Sequence, residues 1–182
     1  GKMSAFHVRP AKREDALGRA VVRVDTWRST YKGMVPDSFL QALSAEGLAE
    51  HWRHTFWGKA DRGLGLFVAE DEGSNIVGIA ICGPGQEWDP VYKGEIYVLY
   101  VLPAYQSQGI GKALVAACVR HLTEALGLRT MLVWVIAANP YRRFYESLGG
   151  EFVREKTREI GGNTIAEVGY GWENIDRLLQ DR

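Results

Sequence analysis

The sequence lacks an apolar run near the roughly 18 residues that a membrane-crossing helix needs. It also lacks a secretory leader. A membrane protein and an exported one are therefore not expected, and a cytoplasmic location is. Charge of one sign is missing too: Lys plus Arg number 22, Asp plus Glu number 22, and the net charge is zero. That balance excludes a nucleic-acid binder driven by bulk charge. Cysteine is scarce, with two in 182 residues, which excludes a disulfide framework. Cys82 and Cys118 fall inside expected elements and read as buried reduced thiols. His51 and His54 share a helix face, but no nearby Cys or carboxylate completes a ligand set, so no metal is expected. No repeat, low-complexity segment or dividing linker is present. Gly1-Lys2 ahead of Met3 reads as an expression remnant, leaving 3–182 as one domain. At 46% hydrophobic and 24% charged, that length can build a full core.

What is there centres on one stretch, Gly94-Glu-Ile-Tyr-Val-Leu-Tyr-Val-Leu-Pro103 followed by Ala-Tyr-Gln-Ser-Gln-Gly-Ile-Gly-Lys-Ala-Leu114. The first half is a strand apolar on both faces, with Ile96, Val98, Tyr100 and Leu102 on one side and Tyr97, Leu99 and Val101 on the other. Such a strand is central and covered on both sides. The second half is a glycine-bearing loop that runs into a helix, with Leu114, Ala117, Cys118, Leu122 and Ala125 at helical spacing. Strand, loop and helix N-terminus make a pyrophosphate cradle, because the first helix amides have no internal partner. A P-loop is excluded, since its first Gly would be Gln106 and its Ser/Thr would be Ala113. A dinucleotide fingerprint starting at Gly109 fails at Leu114.

Along the chain, Phe6–Arg9 reads as a strand and Pro10–Tyr31 as a helix start and its body. A second helix is expected from Pro36 to about His54, and Thr55 to Leu64 as loop. A hairpin over 65–70 and 76–82 follows, then a turn-rich connection to the central strand. After the cradle helix come a buried strand to Ile136, a short helix from Asn139-Pro140, a hairpin turning at Gly161-Gly-Asn163, and a terminal helix from Asn174.

What remains after the exclusions is Gln106-x-x-Gly109-x-Gly111 following a strand that ends in Val-x-Pro. This resembles the coenzyme A pyrophosphate motif of the GNAT superfamily of N-acetyltransferases. Asn139-x4-Phe144-Tyr145-Glu-Ser-Leu-Gly149 resembles the family's second coenzyme A motif, although Gly150-Glu151 separates that Gly from Phe152. The resemblance covers about residues 5 to 173. It implies an α/β (α+β) fold whose central sheet is mixed, largely antiparallel, of about seven strands, with helices on both faces. It implies acetyl-CoA (coenzyme A) as cofactor and direct transfer to a primary amine in a ternary complex. Acetylation of a protein N-terminus or lysine, and a non-catalytic acyl-CoA-binding module, are the alternatives.

The same resemblance implies the site. The Gln106, Ser107, Gln108, Gly109, Ile110, Gly111 and Lys112 backbone would hold the pyrophosphate. Leu99 and Val101 would bind pantetheine, and an amide near Tyr100 or Val101 would polarise the thioester carbonyl. Tyr145 would be the general acid, or else a core aromatic. Asn139 would touch pantetheine, or else only cap a helix. Glu95 would take the amine's proton, or else be a solvated strand end. Trp27 and Tyr31 would wall the acceptor, with Trp88 and Tyr97 opposite, or else form an aromatic core stripe. The expected partner is a small-molecule or peptide amine acceptor, with no nucleic acid and no membrane. A homodimer is allowed for.

Overall fold

The computed structural model describes residues 5–56 and 63–180. Strand β1 (Phe6–Pro10) leads through a 3-10 turn, Arg13–Asp15, into α1 (Ala16–Thr30). Two short helices follow, α2 (Asp37–Ala42) and α3 (Ala45–His51), the latter running on as a wider turn to Phe56. Then come β2 (Gly65–Asp71), β3 (Ile76–Pro84), β4 (Gly94–Val101), α4 (Ile110–Arg120), β5 (Met131–Ile136), α5 (Arg142–Ser147), β6 (Glu151–Ile160) and β7 (Asn163–Trp172). The seven strands form one sheet in the order β1-β2-β3-β4-β5-β7-β6. Every pairing is antiparallel except β4 with β5. The expected architecture is the observed one, and β4 is its middle strand.

Helices cover both faces. The apolar stripe of α4, with Ile110, Leu114, Cys118 and Leu122, packs on Cys82, Ile96, Leu99, Val101 and Val133. On the other face α1 sets Ala16 and Ala20 against Leu66 and Ile81, Val22 against Val68 and Ile79, and Trp27 and Tyr31 against Ile136 and Ile160. Cys82 and Cys118 are free and buried, as expected.

Three local readings are corrected. Strict alternation along β4 puts Ile96 with Val98, but the register slips between Ile81 and Cys82, so that Ile81 opposes Val98 and Cys82 opposes Ile96. Tyr97 is the extra residue of a bulge. Ile96 therefore joins Leu99 and Val101 on the α4 face, while Tyr97 and Val98 both face α1. The single helix expected over 36–54 is two. Leu43 leaves helical geometry with ψ 135°. Ser44 then caps α3, its Oγ accepting from the Gly47 amide at 3.1 Å. A side-chain cap outweighs the apolar periodicity that suggested continuity. The terminal helix is a 3-10 turn, Ile175–Leu179. Most of the loop expected from Thr55 to Leu64, residues 57–62, lies outside the described residues.

The start of α1 is fastened by Asp15. Its carboxylate accepts from both Arg9 nitrogens, at 2.8 and 2.9 Å, and from the Lys12 amide at 2.6 Å. Burial opposes the charge, but the Arg9 and Lys12 bonds outweigh it and hold the carboxyl below its usual range. A depressed folded-state pKa contributes stability that is present above the unfolded-state value and lost as pH falls through the folded one. Asp15→Asn is therefore expected to destabilise the fold by about 1–3 kcal/mol at neutral pH. The gap to wild type should close as pH drops through the carboxylate range in urea titrations. An equal deficit at every pH would contradict the assignment.

Candidate active site

The site begins where two strands part. β4 and β5 pair only at Gly94–Met131, Glu95–Leu132 and Ile96–Val133. Beyond that β5 stays with β7 as far as Ile136, while β4 stays with β3 as far as Val101. The bulge at Tyr97 sits at the point of divergence, and bulges bend the strand that carries them. The result is a narrow cleft of about 80 Å³ through the sheet. Leu99, Tyr100 and Val101 line one side and Val133, Val135 and Ile136 the other. Asn139, Tyr141 and Tyr145 close it from the α5 side, and Trp27 and Tyr31 from the α1 side.

At one end the cleft opens into a cavity of about 450 Å³ at the head of α4, sharing Val101, Gln106 and Tyr141 with it. Ser107 at φ 62° and Gly109 at φ 88° wind the loop through left-handed backbone. Gly109 is the N-cap residue of α4. The first intrahelical bond runs from the Ala113 amide to the Gly109 carbonyl at 3.0 Å, so the Ile110 and Gly111 amides precede it. Ile110 itself turns into the core, anchoring the helix. At Gly111 a Cβ would come within 2.7 Å of Tyr141 Oη, so glycine is what lets α4 and Tyr141 close on the cradle. Gln106 folds back, its Nε2 donating to the Val101 carbonyl at 3.1 Å. Ser107 and Lys112 line this cavity, and among the described residues no acidic one does. Gln108 turns away, donating to the Ala104 carbonyl at 3.4 Å. Left-handed backbone and leading helix amides fit a pyrophosphate.

At its other end the cleft meets a second cavity, of about 300 Å³, with which it shares Tyr97, Trp134, Arg158 and Glu167. Glu95 stands here, buried, one Oε1 accepting from the Gln86 amide at 3.1 Å. The other carboxylates are paired: Glu87 with Lys156 at 2.6 Å and Glu167 with Arg158 at 3.5 Å. Among the described residues no cation pairs with Glu95. Burial pushes its carboxyl up from the ordinary value, and the Gln86 bond only partly offsets this. Glu95 is thus no solvated strand end.

Tyr145 is 5% exposed and packs against Tyr141, Phe144, Tyr170 and Trp172. Burial keeps its phenol protonated, with the pKa well above the usual value. It is both a core aromatic and a wall of the cleft. Asn139 likewise does two things: its Oδ1 accepts from the Tyr141 amide at 2.9 Å, and it lines the cleft.

The aromatic acceptor wall needs revision. Trp27 and Tyr31 stack edge to face at 4.5 Å, and Trp27 Nε1 donates to Tyr100 Oη at 2.9 Å. They are buried core at the narrow cleft and do not line the Glu95 cavity. Trp88 is 82% exposed and lines none of these three cavities. Tyr97 alone of the four reaches Glu95's cavity, its hydroxyl donating to the Pro84 carbonyl. Sequence reasoning missed Gln86, Trp134, Lys156, Arg158 and Glu167. Only Glu167, an acid in a strand buried along most of its length, carried a signal. A carboxylate does stand by the histidines, since His54 Nε2 lies 2.6 Å from Glu50. Among the described residues no group of three potential ligands forms, nor is any helix long and apolar enough to cross a membrane. Neither cysteine lines the cleft, and the Cys82 contact together with burial pushes the Cys118 thiol up.

A splayed parallel pair beside a glycine-turned helix N-terminus is the arrangement that the two coenzyme A motifs imply for an acyltransferase. The family model described as the acetyltransferase (GNAT) family matches residues 25–150, more than half of the chain. The uncharacterized N-acetyltransferase YuaI of Bacillus subtilis is 38% identical over 172 residues, 94% of this chain and 95% of that protein. The protein belongs to the GNAT family and is an acetyl-CoA-dependent N-acetyltransferase. A mycothiol acetyltransferase of Streptomyces avermitilis is 41% identical over 47% of the chain, but over only 26% of its own length. Among solved structures, an N-acetyltransferase from Staphylococcus aureus superposes with TM-score 0.71 at 21% identity, covering 93% of this chain and 98% of that one. The yncA protein of Salmonella typhimurium, solved with its cofactor acetyl-CoA, gives 0.65 at 18% identity, with 92% and 93% covered.

Acetyl-CoA at about a hundredfold over its dissociation constant should add about 2.7 kcal/mol. That raises Tm by about 5–10 °C for a chain of this size. Gly111→Val, which drives a side chain into Tyr141, is expected to remove most of that shift. A full shift in the variant, read by scanning fluorimetry, would contradict the cradle.

Proposed function

We propose that the enzyme acetylates a primary amine by direct attack within a ternary complex, with Glu95 as base and Tyr145 as acid. The observation that carries this reading is Glu95: a buried carboxylate with no cation partner among the described residues, beside the last paired residues of β4 and β5. Its cavity adjoins the cleft that Tyr145 lines.

Acetyl-CoA supplies a thioester carbonyl open to attack and a thiol leaving group. The Gln106–Lys112 segment binds its pyrophosphate, with Asn139 and the Leu99–Val101 edge of β4 along the pantetheine. A β4 amide near Tyr100 or Val101 steadies charge on the carbonyl oxygen. An amine arrives largely protonated and must lose that proton to attack. Glu95, its proton affinity raised by burial, takes it. Tyr145 remains a phenol at neutral pH and donates its proton to the departing sulfur. Direct attack is favoured over an acetyl-cysteine route because neither Cys82 nor Cys118 lines the cleft.

Tyr145→Phe is expected to lower kcat by about 10²-fold while acetyl-CoA binding stays nearly unchanged. In wild type, kcat should rise with pH as Glu95 ionises, at a pH above that of an ordinary carboxylate. Glu95→Gln should depress kcat and move the rise upward, toward the amine's own pKa. Full activity in Tyr145→Phe together with an unmoved pH profile in Glu95→Gln, read by thiol release, would overturn both roles.

A further inference from the structure

Tyr97 borders a third cavity besides the cleft and the Glu95 cavity. This is a groove of about 850 Å³ on the α1 face, which shares Tyr97 and Gln86 with the Glu95 cavity. Its floor is apolar, with Ile79, Ile81 and Val98. Among the described residues its charged lining is of one sign: Arg19 and Arg23 contribute to it and no Asp or Glu does. The adjoining cavity is the reverse at its Glu95 end. There the one carboxylate without a cation partner among the described residues is Glu95 itself.

Arg19 is the unusual group. It is 5% exposed, its guanidinium carbon lies 4.4 Å from the centre of the Trp52 ring, and its Nε is buried without an acceptor. The nearest acid on its own helix face, Asp15, is held by Arg9. Burial and then Arg23 push the Arg19 pKa down to about 10, with Asp15 opposing, so the group is charged at neutral pH. Arg23, one helical turn on, lies 5.7 Å from the Trp27 ring centre and 6.0 Å from that of Tyr100. Desolvating a guanidinium N–H without an acceptor is unfavourable, and a carboxylate that accepts from it relieves the deficit.

The geometry points to an acceptor with two charged ends: a small primary amine that also carries a carboxylate, its amine at Glu95, its carboxylate at Arg19 and Arg23, and its apolar stem on Ile79, Ile81 and Val98. This rests on the reading of Glu95 as the amine's end. The charge sorting selects such a molecule over a neutral-tailed amine, whose tail would leave both arginines unmet, and over a polyamine, whose second cation they would repel.

The test reads binding and turnover separately. Calorimetry on the coenzyme A complex would compare two matched pairs of product analogues. N-acetyl-leucine against N-acetyl-leucinamide probes a short spacing; N-acetyl-γ-aminobutyrate against N-butylacetamide probes a longer one. In at least one pair the acid is expected to bind about tenfold or more tighter than its neutral partner. Arg23→Gln, at a half-buried position, should erase most of that preference with coenzyme A binding retained, and Arg19→Lys should weaken it. Equal binding within both pairs would overturn the inference, as would a preference that survives Arg23→Gln. Thiol release with the parent amines is scored alongside. Silence with every amine would count against Glu95 and Tyr145 as catalysts, whereas turnover of neutral amines as fast as acids would count against the carboxylate site alone.

Discussion

Everything at this site follows from the loss of pairing between β4 and β5 after Ile96. A strand edge inside a fold carries backbone donors and acceptors that must be met, or the fold loses stability. Here β4 keeps β3 on one side to Val101 and, among the described residues, has no strand on the other beyond Ile96. Gln106 Nε2 takes one of the carbonyls, that of Val101. The divergence is built into rigid parts. The Tyr97 bulge bends the strand, the Trp27–Tyr100 hydrogen bond with Tyr31 packs under the gap, and Tyr145 in its aromatic cluster packs over it. The aromatic residues around the gap hold it open, and an extended ligand that offers amide groups can complete the sheet.

Charge is balanced across the chain but sorted within the site. Among the described residues no acid lines the cradle, and the leading helix amides of α4 give it a positive potential. Ion pairs neutralise Glu87 and Glu167, and among the described residues no cation pairs with Glu95. With zero net charge there is little long-range steering of a charged acceptor, so selection falls to short-range contacts inside the cavities.

Much of this was legible in the sequence where a local pattern has a local cause. The Gln106-x-x-Gly109-x-Gly111 run marks backbone geometry that few other residues adopt, and it led directly to the cradle. The two glycines nonetheless act differently: Gly109 supplies left-handed backbone, while Gly111 makes room for Tyr141. Long-range placement was not legible. A single bulge moved Ile96 to the opposite face, which alternation cannot reveal. Trp27 and Tyr31 were found by their spacing, yet spacing does not say which cavity a buried ring borders. Lys156, Arg158 and Glu167 come from a hairpin more than fifty residues downstream of Glu95 in the chain, and only the β5–β7 pairing brings them to it.

The central claim is transfer from cofactor to amine without an acetylated protein. Initial velocities measured with both substrates varied test it most directly, with the intact protein checked by mass spectrometry after exposure to acetyl-CoA alone. Direct attack predicts reciprocal plots that intersect and a protein mass unchanged by the cofactor. Parallel plots, with one acetyl group carried on Cys82 or Cys118, would contradict it.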